Sequence, residues 1–269
     1  MSSPTLLTEI VDRKRRDLEL AQAERPLGML RAALGKQSPV RDFAQALRGR
    51  NVALIAEIKR ASPSEGVFPL LGFDPRQIAG DFAAGGAAAL SVLTEEHYFQ
   101  GAPGFLARAR SRMPLPVLRK DFIFDEYQVY ESRVLEADAV LLIVAILEPR
   151  KLRALHGLVR ELGMTALVEV HDEAEMARAG EVGAEVIGIN NRNLATMTVD
   201  LRTTERLAPL APPGALLVSE SGIKVRGDVE RVAAAGVDAV LVGTALMKSE
   251  QIDLAARQFV GVAKCLSQD

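Results

Sequence analysis

The sequence predicts an α/β fold, a (β/α)8 TIM barrel with an N-terminal helical extension, and three observations carry that prediction. Short apolar or β-branched runs alternate with stretches of helical period, the pattern of βα units around a parallel sheet rather than of a sandwich. The runs number eight, and a weak internal repeat marks the joints between units. No Gly-x-Gly-x-x-Gly follows the first run, which argues against an open dinucleotide-binding sheet, and even spacing favours closure.

About fifty residues precede the first strand, and residues 1–50 read as the helical extension of a single catalytic domain spanning 1–269. Within it, 5–23 has the spacing of an amphipathic helix, with Leu7, Ile10, Val11 and Leu18 on one side, a start signal at Thr5 to Glu9 and a stop at Pro26. Its basic cluster Arg13-Lys14-Arg15-Arg16 reads as a solvated face rather than an anion-attracting patch. The strands fall at 52–59, 88–93, 116–120, 139–144, 166–170, 186–190, 216–220 and 239–243. Helices with apolar residues at helical spacing fall at 75–84, 126–136, 148–162, 173–182 and 226–235. The repeat is Gly86-Ala87-Ala88-Ala89-Leu90, Ala137-Asp138-Ala139-Val140, Gly183-Ala184-Glu185-Val186 and Gly236-Val237-Asp238-Ala239-Val240. Each ends a helix and opens a strand, and glycine there suits the left-handed residue that closes a helix.

A formal net charge of -2 gives no electrostatic footprint for nucleic acid or an anionic membrane, so the expected partner is small. The first ten residues lack the pattern of a secretion signal, and the longest apolar run, 139–147, is far short of a membrane span. The single cysteine, Cys265, is expected in a C-terminal helix as a small buried hydrophobe, consistent with a reducing cytoplasm.

In a barrel of this kind the active site lies at the carboxyl ends of the strands. Side chains alternate faces along a strand, so Ala53, Ile55, Glu57 and Lys59 share the inner face, with the charged pair at the mouth. Leu118 and Lys120, Leu167 and Glu169, and Gly188 and Asn190 repeat the pattern. One strand-end Lys or Glu is most simply a solvated or ion-paired side chain, but two of each converging on one concave mouth are costly to desolvate. Such a set separates pKa values and supplies an acid and a base near neutral pH. The last two strands end in Ser219-Glu220-Ser221-Gly222 and Val242-Gly243-Thr244, where barrels often hold phosphate on backbone N–H groups. Ser62 could add a hydroxyl. His97, His156 and His171 show no metal-ligand spacing and read as helix or loop residues rather than catalysts.

Five motifs then align in order: Ala56-Glu57-Ile58-Lys59-Arg60-Ala61-Ser62-Pro63-Ser64, Val117-Leu118-Arg119-Lys120-Asp121-Phe122, Leu167-Val168-Glu169-Val170, Ile189-Asn190-Asn191-Arg192-Asn193-Leu194 and Ser219-Glu220-Ser221-Gly222-Ile223. Together they closely resemble the indole-3-glycerol-phosphate synthase family of tryptophan biosynthesis, and the resemblance runs from the N-terminal helix to Leu246-Met247. It implies a carboxy-lyase that closes the indole ring of 1-(2-carboxyphenylamino)-1-deoxyribulose 5-phosphate, releasing CO2 and water without cofactor or metal. By the same resemblance Lys120 protonates the ketone oxygen. Lys59 with Glu57 or Glu169 forms a second acid–base pair, which glutamate being the base staying open, as does a role for Lys59 as a carboxylate anchor. Asn190, Arg192 and Ser221 are implied to hold hydroxyls and orient the lysines, with Glu220 behind them. The phosphate falls to Ser62, Gly222, Gly243 and Thr244, and the aromatic pocket to Phe99, Phe122, Leu141, Leu194 and Val242. Glu65 replaces a common lysine, which puts closure of the first βα loop in question, and Thr244 replaces a common serine.

The resemblance implies a cytoplasmic monomer or weak homodimer. Two other readings remain at this point. A phosphosugar isomerase or epimerase would share the phosphate loops but would not need both lysines, and a non-enzymatic scaffold would have no reason to keep the charges.

Overall fold

A computed structural model describes residues 5–69, 72–111 and 113–265. Eight parallel strands close into a barrel: β1 (Ala53–Ile58), β2 (Ala89–Leu93), β3 (Val117–Lys120), β4 (Ala139–Ile143), β5 (Thr165–Val170), β6 (Val186–Asn190), β7 (Leu216–Glu220) and β8 (Ala239–Val242). β1 closes the ring by pairing with both β2 and β8, for example Ile55 with Ala89 and with Leu241. Each strand lies within a residue or two of its expected bounds.

The strands sort their side chains into two layers, as alternation requires. Ile55, Ala89, Leu118, Leu141, Leu167, Val218 and Leu241 fill the barrel, while Leu54, Ala56, Ile58, Val240 and Val242 pack outward under the helices. The extension supplies α1 (Leu6–Glu24), α2 (Leu27–Ala33) and α3 (Phe43–Leu47). Thr5 caps α1 by accepting the N–H of Thr8, and Phe43, Ala44 and Leu47 of α3 join the inner layer as a plug at the amino ends of the strands.

Around the barrel run α4 (Pro75–Ala84), α5 (Gly104–Arg110), α6 (Glu126–Val134), α7 (Pro149–Glu161), α8 (Glu173–Glu181), α9 (Arg202–Leu207), α10 (Arg226–Ala234), α11 (Thr244–Met247) and α12 (Ile252–Arg257). Helical period in the sequence singles out five of these. The short α5 and α9 offer too few turns to display a period. Aspartates start several of them: Asp74 precedes Pro75 at the first helical position, Asp172 accepts the N–H of Glu175, and Asp125 with Gln128 forms a reciprocal capping box.

At the repeated joints Gly236 takes φ +90, the left-handed conformation anticipated there. In the Ala137 unit that position is Glu136, with φ +64. Its carboxylate accepts the N–H of Ser38 at 2.8 Å and faces Arg110 at 3.6 Å, contacts that offset a conformation unfavourable for a side-chain-bearing residue.

One expectation is corrected. The last helix ends at Arg257, and Cys265 lies beyond it in an irregular segment with its side chain exposed. That segment pairs with the chain before β1 through Asn51 and Ala263 and through the Lys264 N–H, which donates to the Arg50 carbonyl at 2.9 Å, while the Lys264 ammonium meets Asp238 ahead of β8 at 2.8 Å. A backbone tied down as an edge bridge has no need of helical period.

Candidate active site

The carboxyl ends of the strands open into a cavity whose empty space of about 1200 Å3 includes open solvent. Every residue proposed from the sequence borders it: Glu57, Lys59, Lys120, Glu169, Asn190 and Ser221, the phosphate candidates Ser62, Gly222, Gly243 and Thr244, and Phe99, Phe122, Leu141, Arg192, Leu194, Glu220 and Val242. Val242 packs with the outer layer, and the inward residue of β8 is Leu241, which also borders the cavity.

Two charge groups occupy the floor. Lys59 Nζ lies 2.9 Å from Glu57 Oε1, both largely buried. Lys120 Nζ lies 3.1 Å from Glu169 Oε2 and 3.2 Å from Glu220 Oε2, so Glu220 touches the lysine directly. Burial works against the Lys120 ammonium, but Glu169, Glu220 and Glu57 more than reverse it and hold its pKa far above the ordinary value. Burial also opposes ionisation of Glu169, yet Lys120 and His171 keep it well below the usual carboxylate range. Glu220 is pushed up to about 7, first by burial and then by Glu169, against the pull of Lys120. The floor therefore holds a firm cation, a firm anion and a carboxyl that is partly protonated near neutrality. Glycines make room for it: a Cβ on Gly188 would collide with Glu220 Oε1, and one on Gly243 with Glu57 Oε1.

The rims are fixed by groups that the sequence reading did not single out. Asn191 is buried beside Asn190. Its amide donates to the carbonyls of Glu220 and Ser221 at 2.9 and 3.1 Å, and its oxygen accepts from Thr204. It thereby steadies a turn in which Ser221 and Gly222 both have positive φ, +63 and +91. Glu95, 1% exposed, accepts the N–H groups of His97, Tyr98 and Phe99 and so sets the ring of Phe99, which stands 6.4 Å from Phe122 centroid to centroid. Asp121 accepts from Thr94 Oγ1 at 2.6 Å, from Arg119 and from the N–H of Phe122. Asp121 and Asn191 have no spacing signal, because most of their partners come from distant segments, although Asn191 could be suspected as the neighbour of Asn190; Glu95 binds amides two to four residues on, in a turn that no residue pattern marks.

Asp121 also receives Lys14 of α1 at 2.8 Å, and Leu6, Leu7 and Ile10 border the cavity, so α1 forms part of its wall. The expectation of a solvated basic face is corrected for Lys14, which is largely buried on Asp121, while Arg13 bonds His97 beyond β2 and Arg15 pairs with Asp12 in its own helix. Glu65, the altered residue of the first βα loop, pairs with Lys248 after β8 at 2.6 Å, so the reversed charge meets a cation. His97 and His171 lie in loops and His156 within α7. Of the three, His171 alone neighbours the floor, 3.4 Å from Glu169. Alternation could have shown it, since positions 169 and 171 share a face. Among the described residues no group of three or more His, Cys, Asp or Glu is placed to hold a metal, and no helix is long and apolar enough to cross a membrane.

The sequence profile of the family described as "Indole-3-glycerol phosphate synthase" matches residues 7–259. A protein of that name from Dehalococcoides mccartyi strain CBDB1 is 50% identical over 256 residues, covering 94% of this chain and 98% of the relative. Another from Chlorobium phaeovibrioides is 48% identical over 248 residues, covering 91% and 96%. Among solved structures, 3-hexulose-6-phosphate synthase from Salmonella typhimurium superposes with a TM-score of 0.62 at 15% identity, covering 77% of this chain and 96% of that one. The N-acetylmannosamine-6-phosphate 2-epimerase of Clostridium perfringens gives 0.59 at 15%, covering 80% and 95%. At such identity these two structures speak for the barrel fold alone.

Proposed function

The chain belongs to the indole-3-glycerol phosphate synthase family, carboxy-lyases of tryptophan biosynthesis, and from that premise we propose how its cavity residues divide the chemistry. The observation that carries the reading is the floor triad, in which Lys120 touches both Glu169 and Glu220. The substrate is 1-(2-carboxyphenylamino)-1-deoxyribulose 5-phosphate. Its aromatic ring packs beside the Phe99 and Phe122 pair and against Leu141 and Leu194, with Val242 and Leu241 at the end of β8 bordering the same space. Its phosphate is held by backbone N–H groups around Gly222, Gly243 and Thr244. Ser62 Oγ, buried and without a partner, adds a donor there.

As the ring carbon bearing the carboxylate bonds to the ketone carbon, the carbonyl pair moves to oxygen, which Lys120 stabilises and protonates. CO2 then departs, and the pair of the broken bond restores the aromatic ring. The new hydroxyl leaves as water with a proton from Lys59, which until decarboxylation anchors the substrate carboxylate beside Glu57. Glu169, ionised at the floor, takes the proton released in dehydration. Glu220, pushed up to about 7, is only partly ionised near neutral pH and lies against Lys120. It positions Lys120 instead, while Asn190, Arg192 and Ser221 orient the hydroxyls. Ring closure and decarboxylation consume one proton, which solvent returns to Lys120.

A formal net charge of -2 supports a reaction without nucleic-acid partners, while the cytoplasm, a monomer or weak homodimer and the lack of a cofactor follow from the resemblance of the motifs to the family. Adding the substrate to pure protein should produce indole absorbance and fluorescence, the latter against little background because the chain has no tryptophan. No product under conditions in which a relative is active would overturn the assignment.

A further inference from the structure

The turn after β5 carries a largely buried imidazole that no step above employs. His171 Nδ1 lies 2.9 Å from Glu175 Oε2, and the same oxygen accepts the backbone N–H of His171 at 2.8 Å, so one carboxylate of α8 fixes backbone and ring together. The other ring nitrogen, Nε2, is buried without a hydrogen-bond partner and lies 3.4 Å from Glu169 Oε1. Glu169 thus has a different cationic group at each oxygen, Lys120 at Oε2 and His171 at Oε1.

A neutral imidazole has one N–H and one lone pair. Either tautomer would turn its lone pair toward a carboxylate, Glu169 in one case and Glu175 in the other. Only the imidazolium presents a donor to both. We propose that His171 is a positioning residue for Glu169, held as a cation between two carboxylates so that Glu169 stays ionised and aimed at the floor. Its value is greatest midway through turnover, when Lys120 has given its proton to the ketone oxygen and His171 becomes the nearest remaining cation to the base.

The surroundings agree. Burial pushes the imidazole down, but Glu169 and Glu175 reverse it and hold it at about 10. The remaining charged groups of the adjoining side cavity, Arg192, Asp200 and Arg206, are of mixed sign, so the two carboxylates in direct contact decide its state.

The inference rests on the assignment of Glu169 as base, and the test separates the two. In the full-length protein labelled with 15N-histidine, three imidazoles are to be resolved. One should keep both nitrogens protonated through pH 8 and vanish in His171→Asn; if His171 instead titrates below pH 7, the inference fails whatever the variants do. His171→Asn should lower kcat about tenfold, because the carboxylate loses a group that aims it, with KM changed less than about twofold. Its acid limb should move to higher pH, because a carboxylate deprived of a cation protonates more readily. An unmoved limb in His171→Asn, alongside a Glu169→Gln variant that is inactive, overturns the role of His171 alone. Near-normal turnover of Glu169→Gln overturns the base assignment and the inference with it.

Discussion

The two ends of the barrel treat buried charge in opposite ways. At the base, Asp138 accepts the N–H groups of Val117 and Arg41 at 2.9 and 2.8 Å and pairs with Arg110 at 3.1 Å. Asp238, the corresponding residue of the repeat one hundred positions on, accepts the N–H of Leu217 at 2.9 Å and Lys264 at 2.8 Å. Each ties the start of its own strand to the strand before it, and backbone donors leave it little capacity for a ligand. At the mouth, Glu57, Lys59, Lys120, Glu169 and Glu220 pair with one another around a cavity, and Glu220 Oε1 has no partner. A buried carboxylate spent on amides holds register. One spent only on other side chains beside open space can exchange partners during a reaction.

The comparison breaks most visibly if the mouth proves structural. Lys120→Ala should fold normally and lose a hundredfold to ten-thousandfold, roughly, in kcat, the scale of a general acid; near-wild-type turnover in the fluorescence assay would remove Lys120 from the chemistry. The converse test is at the base. Asp138→Ala should cost about 2–5 kcal/mol in denaturant unfolding, since it leaves two backbone donors unpaired and takes from Arg110 its nearest carboxylate, with kcat of the folded fraction within about twofold. Loss of activity without loss of stability would erase the distinction between the ends.

Glu220 sharpens it further. Its folded pKa of about 7 lies above the unfolded value of 4.5, so the native state binds the extra proton between those limits. Its contribution therefore falls as pH rises from about 4.5 to about 7, by at most about 1.4 kcal/mol per unit. Glu220→Gln, unfolded in denaturant at both ends of that window, should lose less stability than wild type on going up. Equal losses would mean that Glu220 is ionised throughout. The smallest effect belongs to the exposed latch: Glu65→Ala should change KM by no more than about twofold and leave the melting curve in place, as for most surface pairs. A larger rise in KM would show that the pair with Lys248 governs closure of the first loop.

Much of this arrangement was legible in the residues. Strand alternation put Glu57, Lys59, Lys120 and Glu169 on the inner face, and the ordered motifs pointed to the family that the comparisons show. Asp121 and Asn191 act on groups whose positions depend on how distant segments return, Glu95 binds amides two to four residues on in a turn that no residue pattern marks, and His171 shares a face with Glu169 while having no metal-ligand spacing. Cys265 was misplaced for a related reason: its segment is held by a bridge to the chain ahead of β1, a contact that no local pattern announces.

The sequence by itself determined the eight βα units, which strand ends bear charge and which chemistry those charges suit, because alternation and spacing are properties of covalent order. Only the tertiary structure decided how the charges divide: Lys59 with Glu57, Lys120 between Glu169 and Glu220, His171 behind Glu169, and α1 laid along the cavity through Lys14 and Asp121. Closure of the barrel sets those distances, and the pKa of each group follows from distance and burial rather than from its place in the chain.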